Sequence, residues 1–178
     1  ENSLSRRPLG ATHGVTVNGT SATFVLYAPG KSRVNLLGDF NNYSTTATPM
    51  TKDGNYFWVT VDGLQQGREY SYQYLVDGSI RIGDPYAEKV LDPWNDQWIS
   101  SSVYPNLMSY PSGAQDIVSV FETSPQSYKW EIANFDRPDK NMLAIYELHL
   151  RDFTEEGSFK AAMERLDYLD KLGINAIE

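Results

Sequence analysis

The sequence predicts a mainly β protein: an antiparallel β-sandwich, followed by an aromatic-rich connector and a closing strand–helix–strand unit. Three observations carry this. Short β-rich runs recur through the first half at spacings of roughly 8–12 residues, with turn residues between them. Two of those runs alternate along their length, so that each offers one apolar face. After Met142 the pattern changes to a continuous apolar run, then a helical period, then a second apolar run.

The first strand, Ala22 to Tyr27, is rich in β-branched and aromatic residues and is stopped by Pro29-Gly30. Val34 to Leu37 follows and ends at Gly38. In the run Tyr56 to Val61, alternation puts Phe57, Val59 and Val61 on one face and Tyr56, Trp58 and Thr60 on the other. From Glu69 to Val76 the side chains of Tyr70, Tyr72, Tyr74 and Val76 share a face, and such aromatic ladders stabilise sheets across strands. Asp77-Gly78 supplies the positive-φ pair of a two-residue hairpin turn, and Ser79 to Ile82 reads as the return strand.

Residues 91–140 carry Pro93, Pro105, Pro111, Pro125 and Pro138, many Ser and Asn, and three of the four Trp. Proline removes donors and Ser and Asn compete with the backbone, so long regular elements are not expected there. Trp94, Trp98 and Trp130 are too apolar for a disordered linker, which predicts a connector packed by its aromatics. Trp58, on the face opposite Phe57 and Val59, is a candidate for that contact, or else for a binding face. The run Leu143 to Leu150 then reads as a strand covered on both faces. Ser158 is a fair N-cap, and Phe159, Ala162, Met163, Leu166, Leu169 and Leu172 recur at helical steps. Gly173 sits where a helix ends, and Ile174 to Ile177 restarts a strand, completing a βαβ unit with parallel strands. The predicted organisation is a sandwich over residues 1–90, a connector over 91–140 and the βαβ unit over 141–178.

Composition excludes several classes of function. Acidic residues outnumber basic ones 23 to 15, for a net charge of −8. That balance argues against nucleic acid and anionic membrane surfaces, which call for dense Lys and Arg. There is no cysteine, so disulfides, thiolate metal sites and a thiol nucleophile are excluded. No apolar run approaches the roughly 20 residues that span a bilayer. The 178 residues are 1.2 times a domain of about 150. The chain opens Glu1-Asn2-Ser3 and closes inside an apparent strand, so sequence is expected on both sides; localisation stays open, with export and removal of a leader compatible.

Leu9-Gly10-Ala11, Ala28-Pro29, Gly38-Asp39-Phe40-Asn41-Asn42-Tyr43, Tyr70 to Gly78 and Asp84-Pro85-Tyr86-Ala87 occur in an order that resembles carbohydrate-binding module family 48. Ile145 to Thr154, Glu156 to Phe159 and Leu172 to Glu178 resemble the first strand, helix and second strand of the glycoside hydrolase family 13 barrel. The resemblance implies an immunoglobulin-like sandwich ahead of a (β/α)8 barrel, in the neighbourhood of α-amylases, debranching enzymes, branching enzymes and trehalohydrolases. It further implies an α-glucan partner (starch, glycogen or oligosaccharides), no cofactor in this segment, and calcium as a ligand the longer protein could take. In that family the catalytic carboxylates follow barrel strands four, five and seven, so no catalytic residue is expected here and the chain alone is expected to be inactive.

Members of the module family that bind glucan usually carry a stacking Trp at the position of Tyr43, a second Trp at that of Ile80 and a Lys at that of Gln73. Tyr43 with Asn41, Asn42, Gln73 and Trp58 are therefore the candidate glucan contacts, since pyranose rings stack on aromatics while amides bond their hydroxyls. The preferred reading is that Gly38 to Tyr43 is a structural turn, Tyr43 caps the core and the sandwich mainly supports the barrel. The alternative is a non-catalytic starch- or glycogen-binding module that uses these contacts. Asp152, past the first strand of the βαβ unit, is expected to pair locally, and His149 to be a hydrogen-bonded core residue. The half-built βαβ unit leaves apolar surface and strand edges, which predicts self-association.

Overall fold

The computed structural model describes residues 6–178. It contains two compact units, one made of the chain up to Gln97 together with Met108–Ser127, the other of Trp98–Leu107 and Tyr128–Glu178.

The first unit is an antiparallel sandwich. Its strands are β1 (Gly14–Asn18), β2 (Ser21–Tyr27), β3 (Val34–Gly38), β4 (Thr51–Asp53), β5 (Tyr56–Val61), β6 (Glu69–Val76), β7 (Ile80–Ile82), β8 (Lys89–Leu91) and β9 (Val118–Glu122). One sheet runs β1-β2-β5-β4 and the other β3-β6-β9-β8, with β7 also pairing β6. Strand β6 is the longest and organises its sheet. On one side it pairs with β3; on the other its N-terminal half pairs with β9 and its C-terminal half with β7.

The faces follow the alternation in the sequence. Tyr70, Tyr72, Tyr74 and Val76 point into the core with Phe24, Leu36 and Phe57, and Val59 and Val61 pack against it. Phe24 meets Tyr72 edge-on at 5.0 Å and Phe121 at 5.3 Å, while Tyr70 stacks on its cross-strand partner Phe121 at 5.7 Å. Such pairs each add roughly 0.5–1.5 kcal/mol beyond the area they bury. The hairpin turn is as expected: Asp77 has φ 51° and Gly78 φ 79°. The Asp77 carboxylate also accepts from the amides of Ser32 and Arg33, which ties the turn to the approach to β3.

Strand β9 departs from the expected organisation. It lies within the stretch read as connector, yet it forms an interior strand of the sandwich between β6 and β8. The connector tryptophans do not supply the expected packing. Trp94, Trp98 and Trp130 stay exposed at 57, 79 and 75%. Trp130 meets Tyr128 edge-on at 4.8 Å, so part of the aromatic excess packs locally.

In the second unit β10 (Ile145–Tyr146) pairs in parallel with β11 (Ala176–Ile177), and α1 (Leu150–Phe153), α2 (Phe159–Met163) and α3 (Leu166–Lys171) lie between them in sequence. The parallel pairing matches the expectation; the lengths do not. With β11 as its partner, β10 extends for two residues rather than eight. The single long helix is broken at Glu164-Arg165, where Glu164 and Arg165 donate to the carbonyls three residues back instead of four. The predicted termini hold. Ser158 Oγ accepts from the amide of Ala161, and Gly173 at φ 85° closes α3 with Gly173 N–H on Asp170 O and Ile174 N–H on Leu169 O, a Schellman motif. Leu169 is buried, but Phe159, Met163, Leu166 and Leu172 are exposed.

His149 is corrected from a core residue to an exposed one. It precedes α1, and its Nδ1 lies 3.1 Å from Asp152 Oδ2. Asp152 also takes the Arg151 Nε at 3.3 Å, and that hydrogen bond is the main reason its carboxyl sits below the ordinary value. Local pairing occupies this carboxylate, as expected.

Candidate functional site

The candidate sugar contacts begin at a short 3-10 turn, Asp39–Asn41, just after β3. Asn41 is consumed by this turn. Its Oδ1 accepts from Gly38 N–H at 3.0 Å, and its Nδ2 donates to Leu36 O and Thr48 Oγ1, both at 2.8 Å. Asn42 and Tyr43 then adopt consecutive left-handed conformations, with φ 53° and 55°. Asparagine tolerates this region; for tyrosine it is uncommon and needs support. Support comes from Tyr43 N–H on Gly38 O at 3.0 Å and from the Tyr43 hydroxyl against Ser71 Oγ at 2.5 Å.

Tyr43 is 7% exposed. Burial pushes its hydroxyl far above the ordinary tyrosine value, opposed by the Ser71 hydrogen bond. What covers it comes from a distant part of the chain. A Cβ on Gly113 would lie 2.6 Å from Tyr43 Cβ, so only glycine lets the backbone cross here. The strap Tyr110–Ile117 is fastened along its length to the outer face of the β3-β6-β9-β8 sheet and its flanking β7. Gln73 Nε2 donates to Gln115 O and, at 2.9 Å, to Ile117 O, while its Oε1 accepts from Gln115 N–H at 3.2 Å. Arg81 Nη1 donates to Gly113 O at 2.7 Å, and Tyr110 closes the strap on itself through Asp116 O at 2.8 Å.

The structure brings Tyr43 and Gln73 onto one face and then covers both. Gln73 has no exposed surface. Stacking requires an open ring face and sugar hydroxyls require open polar atoms; Tyr43, Asn41 and Gln73 offer neither in this conformation. Asn42 is exposed beside them, as is Ile80, whose aliphatic side chain presents no ring. Trp58 is half-buried on β5, in the other sheet, and does not join this group. The strap residues Gly113 and Gln115 carry no signal in the sequence, because a Ser-Gly pair in a polar stretch gives no sign of where it lands. Among the described residues no three His, Asp or Glu side chains converge where a metal could be held.

With the two sheets and the covered face in view, the family can be stated. Residues 8–95 match carbohydrate-binding module 48 (isoamylase N-terminal domain). The sandwich is a carbohydrate-binding module 48 domain. This module heads a chain that is similar over both units to enzymes of glycoside hydrolase family 13. It is 28% identical to the malto-oligosyltrehalose trehalohydrolase of Saccharolobus solfataricus, over 94% of this chain and 25% of that enzyme. It is 29% identical to the 1,4-alpha-glucan branching enzyme GlgB of Rhodospirillum rubrum, over 97% of this chain and 23% of that enzyme. Among solved structures, the Group B Streptococcus pullulanase SAP superposes with a TM-score of 0.63 at 26% identity, covering 94% of this chain and 24% of that one. The chain thus spans about a quarter of the length of these relatives. The module's last interior strand, β9, lies beyond the matched residues.

Proposed function

We propose that this chain is the non-catalytic N-terminal part of an α-glucan-active enzyme of the glycoside hydrolase family 13 type, with the module serving mainly as a support for the catalytic barrel. The observation that carries this is the extent of the likeness. Trehalohydrolase and branching enzyme align through the module and on through the second unit, and not over the module alone. In a retaining mechanism two carboxyls stand roughly 5–5.5 Å apart, and they are assigned to sequence following Glu178. Whether the reaction is hydrolysis or transfer, and which linkage is chosen, follows from those later residues. The covered face around Tyr43 supports the supporting role, because the side chains at the expected contact positions hold a strap in place.

The test has two arms. The full reading frame should act on amylopectin or glycogen, and the 178-residue chain should release no reducing sugar. An extended frame that lacks the three carboxylates and leaves glucan untouched would overturn the reading. The second arm concerns the exposed apolar face of the second unit, formed by Phe159, Met163, Leu166 and Leu172. Such a face drives association, so the isolated chain is expected above monomer mass by light scattering, and a monomer across the micromolar range would refute that expectation.

A further inference from the structure

The sandwich has a second recess, built where its two sheets end. Between edge strand β1 of one sheet and edge strand β8 of the other lies an open cleft of about 580 Å3, within the roughly 300–1,000 Å3 typical of small-ligand clefts. Its lining combines rings with paired polar groups. Tyr86 is 58% exposed, and its ring stacks on the imidazole of His13 at 4.8 Å and 16°. The missing side chain of Gly14, at φ 79°, allows the close approach, since a Cβ there would lie 3.0 Å from Tyr86 Cβ. His13 is in turn flanked by Tyr56 at 5.5 Å, so the plate is anchored to the sheet behind it. Across the lining, Lys89 Nζ is held by Glu69 Oε1 at 2.6 Å, and exposed Glu88 and Glu122 add two further carboxylates.

These groups select a class of ligand. Three carboxylates against one lysine, in a chain of net charge −8, argue against an anion. A supported aromatic plate with carboxylate acceptors and an ammonium donor beside it suits a neutral ligand that has an apolar face and a rim of hydroxyls. That is the chemistry of a pyranose.

We propose that the β1/β8 cleft binds a short α-1,4-glucan, with one glucose ring stacked on Tyr86 and its hydroxyls bonded by Glu88, Glu122 and the Lys89–Glu69 pair. The choice of an α-glucan rests on the proposed function above. The site lies outside the Tyr43 and Gln73 group, so the module gains a sugar contact without disturbing its strap.

The test is an amide-shift titration of the 178-residue chain with maltoheptaose, with cellohexaose as the β-linked comparison. Shifts are expected at residues 13–17, 86–89 and 120–122. Tyr86→Ala should weaken binding about tenfold or more, which corresponds to about 1.4 kcal/mol. Tyr86→Phe keeps the ring and should bind within about threefold of the unaltered chain, and Tyr43→Ala should bind as well as it. Equal response to cellohexaose, shifts confined to another face, or undiminished binding by Tyr86→Ala would each overturn the proposal. If maltoheptaose moves nothing while the full-length enzyme still acts on amylopectin, the cleft assignment falls and the glucan-active reading stands. Loss of that enzyme activity would overturn the reading by itself.

Discussion

The hydroxyl of Tyr72 donates to Asp84 Oδ2 at 2.8 Å inside the sandwich, and Tyr74 donates to the same oxygen at 3.1 Å. The other carboxylate oxygen accepts from Tyr86 N–H at 2.9 Å, and Ser119 Oγ lies 2.6 Å from the Asp84 amide. A carboxylate only 6% exposed is thus the shared acceptor for two buried rings on β6 and for the turn that leads to the cleft.

Removing it leaves both hydroxyls without their acceptor in an apolar interior. Asp84→Ala is expected to cost roughly 2–6 kcal/mol, at about 1–3 kcal/mol for each stranded group. Asp84→Asn, which keeps an acceptor oxygen, should cost less. Denaturant unfolding measures both. A loss below about 1 kcal/mol for the alanine variant would show that the pair is not buried as described.

Alkaline pH should unfold the module through the same rings. Tyr43, Tyr72 and Tyr74 are all raised above the ordinary tyrosine value, chiefly by burial, and Asp84 raises Tyr72 and Tyr74 further. The folded chain keeps these protons at a pH where the unfolded chain has released them. Their contribution is therefore complete below about pH 10 and declines above it, by up to about 1.4 kcal/mol per pH unit for each ring. Unfolding midpoints that do not fall between pH 9 and pH 11 would contradict this.

The strap should be coupled to Tyr43. Gly113→Ala drives a methyl into the Tyr43 side chain and is expected to destabilise by roughly 1–3 kcal/mol, as overpacking does. In Tyr43→Gly the clashing Cβ is gone, so the second substitution should cost less than it does alone. The two effects are then expected to differ from additivity by at least about 0.5 kcal/mol. Additive costs would mean that strap and ring are independent.

Helix ends in the second unit give a local test. Ser158→Ala removes the acceptor for Ala161 N–H and should cost about 1 kcal/mol. Gly173→Ala places a side chain at φ 85° and should cost about the same or more. Limited proteolysis should accelerate within residues 128–178 for both, leaving the sandwich protected. Equal acceleration in both units would refute a local effect.

The sandwich was legible in the sequence where its signals are local. Alternation in Tyr70, Tyr72, Tyr74 and Val76 reports the core face directly, and Asp77-Gly78 reports a turn that depends on nothing outside itself. Strand β9 alternates too, but with Val118 and Val120 on the face of Ser71 and only Ser119 and Phe121 opposite the core tyrosines. It lies among prolines and serines, and its partner residues on β6 come some fifty residues earlier. No short-range rule connects them. The candidate site failed to read for a related reason. Tyr43 with Asn41 and Asn42 looks the same in sequence whether its ring is open or covered, and what covers it is contributed some seventy residues later by Gly113. The connector tryptophans mislead through composition: apolar rings imply burial on average, but a partner surface decides each case.

The late position of β9 has a consequence for how the protein is made. As the chain leaves the ribosome, at roughly 5–20 residues per second, β6 emerges with β3 and β7 available but with its N-terminal half unpaired on one side. That edge is closed only when residues 118–122 arrive, after an excursion through residues 98–107, which belong to the other unit. The nascent sandwich therefore passes through a stage with Tyr70 and Tyr72 lacking their cover from Phe121. A gene fragment cut at residue 95, where the family match ends, would hold the protein permanently at that stage.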